Sequence, residues 1–387
     1  MPELDPRALR PHYRAFLDRE GAPRRILLTG HSHQAWPDVA REGQLEAFDV
    51  AARDVDDKWD AVFAAQAELR AHTASRIGAR ADELAFAPNT HELVVRFLSA
   101  LPLARKPRLV TTTGEFHSAF RQLRRLAEEG IEVVFVEAEP AATLSERLLE
   151  AVDARTSAVV TSTVLFGTSS VVPGLEELVR GARGRGAEVL LDAYHAFDIV
   201  PFAVPEGAYL VAGGYKYAQW GEGVCFLRVP TGSTLRPVYT GWFAGFAHLA
   251  DRRPSGPVAY EADGATRFAG STFDPTSTFR ARSVARFFEA QGMTPERLRS
   301  TSLRQTARIL AAARELPGVV VATPTEDAAR GGFVALQTPH ASRLVAELRE
   351  DGVFTDARGE MLRLGPAPYL LDEEIDEALR LLRARLA

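Results

Sequence analysis

Residues Tyr209-Leu210-Val211-Ala212-Gly213-Gly214-Tyr215-Lys216-Tyr217 place a lysine just past an apolar, strand-like run. A lysine in a partly desolvated pocket loses proton affinity, and its amine then becomes a nucleophile able to form a Schiff base with an aldehyde. Taken alone, a lysine snorkelling off a strand end gives the same pattern. Twenty-four positions earlier, Asp192 ends a second apolar run, Glu188-Val189-Leu190-Leu191-Asp192. A carboxylate at that depth suits a protonated heterocyclic nitrogen, whose charge makes the ring an electron sink; a helix cap is the plainer role. His195 could pack against such a ring, hold the aspartate, or serve as a satisfied structural histidine. Near the end of the chain, Arg363 offers a planar fork for a substrate carboxylate, with an ordinary salt bridge as the alternative.

These residues need elements to hold them. Short apolar, β-branched runs recur at Leu84–Ala87, Leu109–Thr112, Val133–Val136, Ala158–Thr163, Glu188–Asp192, Tyr209–Gly213 and Val224–Val229. Most are separated by stretches of helical spacing, such as Ala119–Glu129, Leu144–Val152 and Leu175–Arg183. Strand alternating with helix predicts an α/β fold with a mostly parallel sheet covered on both faces, binding its ligand at the carboxyl ends of the strands. The loops that follow the runs therefore matter: Asn89-Thr90, Glu115 to Ser118, Thr163 to Ser170, Asp192 to His195, and Gly214 to Lys216. From Pro275 the pattern changes to helices at Arg280–Ala290 and Pro295–Glu315, a strand pair near Val319 and Phe333, a helix at Ser342–Glu350, a strand around Met361–Leu364 and a last helix at Asp372–Leu386. The expected division is an N-terminal segment 1–40 packing with the small domain, a large domain 41–274, and a smaller α+β domain 275–387.

Composition narrows the function classes. A chain of 387 residues exceeds what one core usually sustains. Its 46 Lys+Arg are interleaved with 51 Asp+Glu for a net charge of −5, which argues against nucleic acid as a partner. No run approaches the ~18 apolar residues of a membrane helix, and Met1–Arg25 lacks the apolar core of a secretion signal. Cytoplasmic location is the expectation. The single cysteine, Cys225, leaves no internal disulfide. His31 and His33, two apart with no acidic or Cys cluster beside them, are a thin basis for a metal site, and none is expected.

A strand-end Asp followed by a strand-end Tyr-Lys resembles the cofactor core of pyridoxal phosphate (PLP) enzymes of fold type I, the aspartate-aminotransferase fold, in the aminotransferase class V branch. Within that branch the chain resembles kynureninase from about Ile26 to Leu386. Asn89-Thr90 with Leu93 is similar to the family loop that binds the cofactor phosphate, and a helix start there is a natural anion site. Glu115-Phe116-His117-Ser118 resembles the family's Phe-Pro-Ser/Thr-Asp segment, which implies that Phe116 stacks on the cofactor ring and Ser118 lies beside it; His117 stands in place of the proline and Ala119 in place of the aspartate. Ser162-Thr163-Val164 matches a serine-containing strand end, and Tyr215-Lys216 matches the family's Tyr-Lys pair. Gly241-Trp242-Phe243 resembles Gly-Trp-Phe, whose tryptophan reaches the neighbouring subunit's phosphate. The segment Arg267 to Thr272, with Ser271, occupies the place of the family's Arg-Ile-Ser-Asn loop. Arg363-Leu364-Gly365-Pro366-Ala367-Pro368 is close to Arg-Val-x-Pro-x-Pro.

The resemblance implies a seven-stranded sheet in the large domain, PLP on Lys216, Asp192 at the ring nitrogen, Tyr215 in proton transfer, Arg363 at the substrate carboxylate, and a homodimer with active sites at the interface. His31, Ser32 and His33 stand where the family's Asn-Ser-Leu-Gly forms the substrate side-chain pocket, with only the serine kept. Hydrolytic Cβ–Cγ cleavage of kynurenine or a related amino acid is the first reading. Transamination or β-elimination on the same scaffold uses the same lysine, aspartate and arginine and stays open, as does a catalytically silent PLP-fold binding protein. Cysteine desulfuration fits less well, because it needs a thiol on a mobile loop and Cys225 lies in the apolar run Val224–Leu227.

Overall fold

A computed structural model describes residues 3–18, 21, 24–248 and 256–386. Seven strands form the main sheet: β2 (Leu84–Ala87), β3 (Arg108–Thr112), β4 (Glu132–Val136), β5 (Thr156–Ser162), β6 (Glu188–Asp192), β7 (Tyr209–Gly213) and β8 (Cys225–Arg228). They follow β1 (Ile26–Leu27), which lies apart from them. The spatial order is β2-β8-β7-β6-β5-β3-β4, and only β8 runs against its neighbours. Every residue of β5 and β7 is buried, which is why these strands read as continuous apolar or small-residue runs instead of alternating ones.

Register brings the chemistry together. Ser162 pairs with Asp192 across β5 and β6, and Asp192 pairs with Val211 across β6 and β7. The ends of three adjacent parallel strands therefore open onto one spot, with Lys216 three residues past Gly213. Gly213 and Gly214 have to lack side chains: a Cβ on the first would collide with Tyr194 and Cys225, and on the second with the Trp220 ring. Lys216 is thus delivered on a tight turn, closed by Gln219 N donating to the Lys216 carbonyl at 3.0 Å and Trp220 N to that of Gly214 at 2.8 Å. Gln219 holds φ +60°, a strained value for a residue with a side chain.

The C-terminal part carries β9 (Val320–Val321), β10 (Val334–Gln337), β11 (Val353–Phe354), β12 (Asp356–Arg358) and β13 (Met361–Leu364). Four of them form an antiparallel sheet in the order β12-β13-β10-β9, while β1 pairs in parallel with β11. The early chain is also sewn to the end of β13, since Gly30 N donates to Gly365 O at 2.8 Å and Gly365 N to Leu28 O at 2.7 Å. A Cβ on Gly365 would strike His31, so glycine is what allows that close crossing.

Two helices, Val39–Asp54 and Lys58–Ile77, fall where the sequence reading assigns no element. The first buries Ala40, Gly43, Ala47 and Val50, small residues that let it press on the helix Thr276–Ala290, while Leu45 and Phe48 face outward. Its apolar stripe is therefore faint. Among the described residues no helix is long and apolar enough to cross a membrane.

Candidate active site

A cavity of ≈ 270 Å³ opens at the carboxyl ends of β5, β6 and β7. Asn89, Thr90, Phe116, Ser118, Ser162, Asp192, His195, Tyr215 and Lys216 all line it, drawn from five separate stretches of chain. Tyr194, Phe166 and Cys225 belong to the same wall.

Lys216 is 5% exposed, and its Nζ lies 2.7 Å from His195 Nε2. Around the amine stand the rings of Tyr194 at 4.8 Å, Phe116 at 5.4 Å and Tyr215 at 5.8 Å. Burial pulls the amine down to about 7; Asp192 opposes that fall and the charge of Arg363 adds to it. Burial likewise raises the Asp192 carboxyl, against a hydrogen bond from Tyr194 N at 2.9 Å and the nearby lysine. Both groups are thus pushed toward their neutral forms by burial, and a positive ring nitrogen would be the missing counter-charge for the carboxylate. His195 is held well below its ordinary value by burial, then by Lys216, so its ring is neutral. It bonds to the lysine and not to the aspartate, and its Nδ1 is buried without a partner.

The rim at Asn89 is a helix start. Asn89 has extended backbone, and its side chain caps the helix Thr90–Ala100 by accepting from Glu92 N at 2.9 Å. Thr90 Oγ1 is buried, with the Cys225 thiol as its nearby polar neighbour and no oxygen or nitrogen partner. A buried hydroxyl at the positive end of an 11-residue helix suits an anion such as a phosphate. Together with a desolvated amine, and with the Phe116 ring and the Asp192 carboxylate lining the same cavity, the residues present fit PLP.

Two participants escape the sequence reading. Glu115 is 2% exposed and accepts from Thr112 Oγ1 at 3.0 Å, Ser162 N at 3.0 Å and Ser162 Oγ at 2.7 Å. Burial, supplemented by Asp192, pushes its carboxyl up to about 7 even against those bonds. Asp356 accepts from Arg363 Nε at 2.9 Å, Arg363 Nη2 at 2.6 Å and His31 Nε2 at 2.8 Å.

The remaining residues singled out in the sequence lie outside the cavity wall. Arg363 is buried over the Phe333 ring and donates through Nη1 to Phe166 O at 2.8 Å, so it borders the site by way of Phe166. His31 is stacked on Phe333 at 4.5 Å, and His33 lies 5.6 Å from the Tyr215 ring. Ser32 turns back on its own segment, its Oγ donating to Thr29 O at 3.2 Å. Trp242 is 41% exposed and stacks on Phe243 at 4.2 Å, while Ser271 lines an adjoining, larger cavity of ≈ 1020 Å³ with Arg96, Tyr239 and Phe243, which shares Pro88, Glu222 and Gly223 with the first. Neither touches the Lys216 cavity within one chain. Among the described residues no cluster could hold a metal ion.

Comparison with known proteins adds matches of three kinds. Residues 297–382 match the family model of the kynureninase C-terminal domain. The kynureninase of Bacillus cereus (strain ATCC 10987 / NRS 248) is 26% identical over 328 residues, covering 80% of this chain and 76% of that protein. That of Xanthomonas euvesicatoria pv. vesicatoria is 27% identical over 204 residues, 50% of this chain and 48% of its own. Among solved structures, a C-DES mutant with glycine covalently linked to its PLP cofactor superposes with a TM-score of 0.81 at 17% identity, over 97% of this chain and 98% of that one. The Escherichia coli cysteine desulfurase CsdA gives 0.81 at 15% identity over the whole of both chains. In sequence the chain is similar to kynureninases, and it shares its fold with these PLP-dependent proteins.

Proposed function

We propose that this protein is a PLP-dependent enzyme acting on a small amino acid, with hydrolytic Cβ–Cγ cleavage of kynurenine or a close relative as its reaction. The observation that carries the reading is the meeting of Lys216 and Asp192 on the walls of one cavity beside a helix start. Lys216 would hold the cofactor aldehyde and Asp192 its ring nitrogen, with Phe116 against the ring. Asn89 and Thr90 receive the phosphate, with Ser118, Ser162, His195 and Tyr215 around the cofactor. When bound, PLP supplies an aldehyde for the substrate amine and a ring that accepts the electron pair released at the substrate carbon.

The chain's own groups then have separable tasks. Burial favours the free-base form of the Lys216 amine, which can take the proton from Cα. Tyr215, pushed up to about 12 by burial, keeps its proton and can donate it. Arg363 receives the α-carboxylate, and His31, Ser32 and His33 flank the side chain, where water must reach a carbonyl for cleavage. Trp242 and Ser271 act across a homodimer interface, each reaching the partner's phosphate site. The exposed apolar side chains Leu45, Phe48, Phe63, Trp242 and Phe246 support that interface.

The divergent segment at His31 to Gln34 favours keeping β-elimination or transamination as the second reading. Cys225 is buried in β8, with the Tyr194 hydroxyl 3.6 Å from its sulfur, a poor setting for a mobile sulfur acceptor. Spectral titration of the PLP-loaded protein with an amino-acid panel including kynurenine and 3-hydroxykynurenine, followed by product identification, tests the assignment. Alanine with an aromatic carboxylic acid, the ring amine retained, supports hydrolysis, because water adds to the side-chain carbonyl as the Cβ–Cγ bond breaks. A keto acid formed with amine retention on the cofactor, or ammonia with a keto acid, would replace it by transamination or elimination.

A further inference from the structure

Arg363 does not wait for a ligand with its whole fork free. In the β12–β13 hairpin, Asp356 is the cross-strand partner of Arg363, and neighbours so paired share a face. The carboxylate takes the side-on edge of the guanidinium through Nε and Nη2, while Phe166 O takes one hydrogen of Nη1. A guanidinium has five N–H groups, so this leaves one hydrogen on each terminal nitrogen. The same carboxylate also binds His31 Nε2, and since a carboxylate only accepts, that nitrogen carries the ring hydrogen. Burial pulls His31 down to about 4, so the ring is a neutral donor. For Asp356, burial alone would raise the carboxyl; the bonds from His31 and Arg363 instead hold it well below the usual range, so it stays charged.

We propose that Asp356 is the positioning residue of the substrate-carboxylate site, orienting Arg363 so that the two remaining hydrogens meet an incoming α-carboxylate and fastening His31 to the same anchor. This rests on the function proposed above. It joins two halves of substrate recognition, because one carboxylate fixes both the arginine and the segment 31–33 that flanks the side chain. A buried ion pair adds little net stability over an apolar pair of equal volume, and its best-attested benefit is a defined geometry. The opposite role is equally concrete: Asp356 could act as a plug that a substrate carboxylate must displace. The two roles give opposite signs.

The test uses the PLP-loaded protein and the change in its visible band on adding ligand, which reads binding without turnover. Two probes are compared: an amino acid that perturbs the wild-type band, and the amine of the same skeleton lacking the carboxylate. In Asp356→Asn the amino acid should bind roughly tenfold or more weakly, as expected for a charge-assisted bond lost or misaligned, with the amine unchanged because the asparagine oxygen still accepts from His31 Nε2. In an Arg363→Gln background the Asn substitution should add nothing further, since the effect passes through the arginine. Should the Asn variant not fold, Asp356→Glu keeps the charge and displaces the carboxylate by one methylene, and the same amino-acid-only loss is expected. Tighter amino-acid binding would establish the plug. Equal losses for both probes would reduce Asp356 to general support, and either result overturns the proposal. A wild-type protein that forms no visible band with PLP would instead refute the functional reading beneath it.

Discussion

The inner and outer walls of the site are built on different plans. Lys216, Asp192 and Ser162 come from the ends of three adjacent parallel strands, and one register fixes them. His31, Phe166, Asp356 and Arg363 come from distant stretches and meet only because β1 pairs with β11 and the early chain is sewn to Gly365. The inner wall offers a desolvated amine and two carboxyls pushed toward neutrality, poised for a cofactor that restores charge balance. The outer wall is already balanced, its arginine paired and its histidine neutral. A cofactor site can be an unfinished electrostatic arrangement, whereas a substrate site that empties on every turnover has to stand complete by itself.

The largest expected effect breaks the inner wall. Lys216→Ala should abolish the visible band and lower turnover by about 10⁴-fold or more, by loss of both the covalent anchor and the base; single-turnover assays with added PLP measure it. Asp192→Asn should keep the band but lower kcat about 10²- to 10³-fold, the scale of losing one preorganised charge at the reacting centre.

Glu115→Gln sharpens the contrast through stability. The folded carboxyl is raised from 4.5 to about 7, so its stabilising contribution is complete below the unfolded value and lost as pH climbs through 7. That loss is about 3 kcal/mol at most. Urea unfolding of the cofactor-free variant should therefore be flatter than wild type between pH 4.5 and 7; unchanged curves would show that the carboxyl does not titrate there.

On the outer wall, Arg363→Gln should raise KM roughly 10- to 100-fold for lost bidentate recognition while leaving the band intact. An unchanged KM would remove Arg363 from the substrate site. The smallest effect concerns rate. Because Lys216 titrates at about 7, capture of added PLP by the cofactor-free protein should slow about tenfold per pH unit below that value and level off above it, as followed by stopped-flow absorbance.

The same contrast governs what the sequence discloses. The inner wall is legible because strand ends lie at fixed offsets from apolar runs, so Asp192 and Lys216 announce themselves within five or six residues of local pattern. A further local signal goes unused: the chain has three lysines, Lys58, Lys106 and Lys216, and of these Lys216 is the buried one. Glu115 is missed although it adjoins Phe116, because its partner Ser162 belongs to a strand that neighbours β3 only in space. Asp356 reads as part of a polar turn, Thr355 to Glu360, and gains meaning from a hairpin whose two-residue turn starts at Gly359 with φ +57°. A Gly-led turn between short runs is the trace that points to it. The helices at 39–77 stay hidden because close packing against a neighbouring helix selects small residues and blurs the apolar period.

The central claim is a covalent bond at one nitrogen. Borohydride reduction of the PLP-loaded protein, followed by peptide mapping, should place the reduced cofactor on Lys216 and nowhere else. Label on Lys58 or Lys106, or no stable label at all, would contradict it.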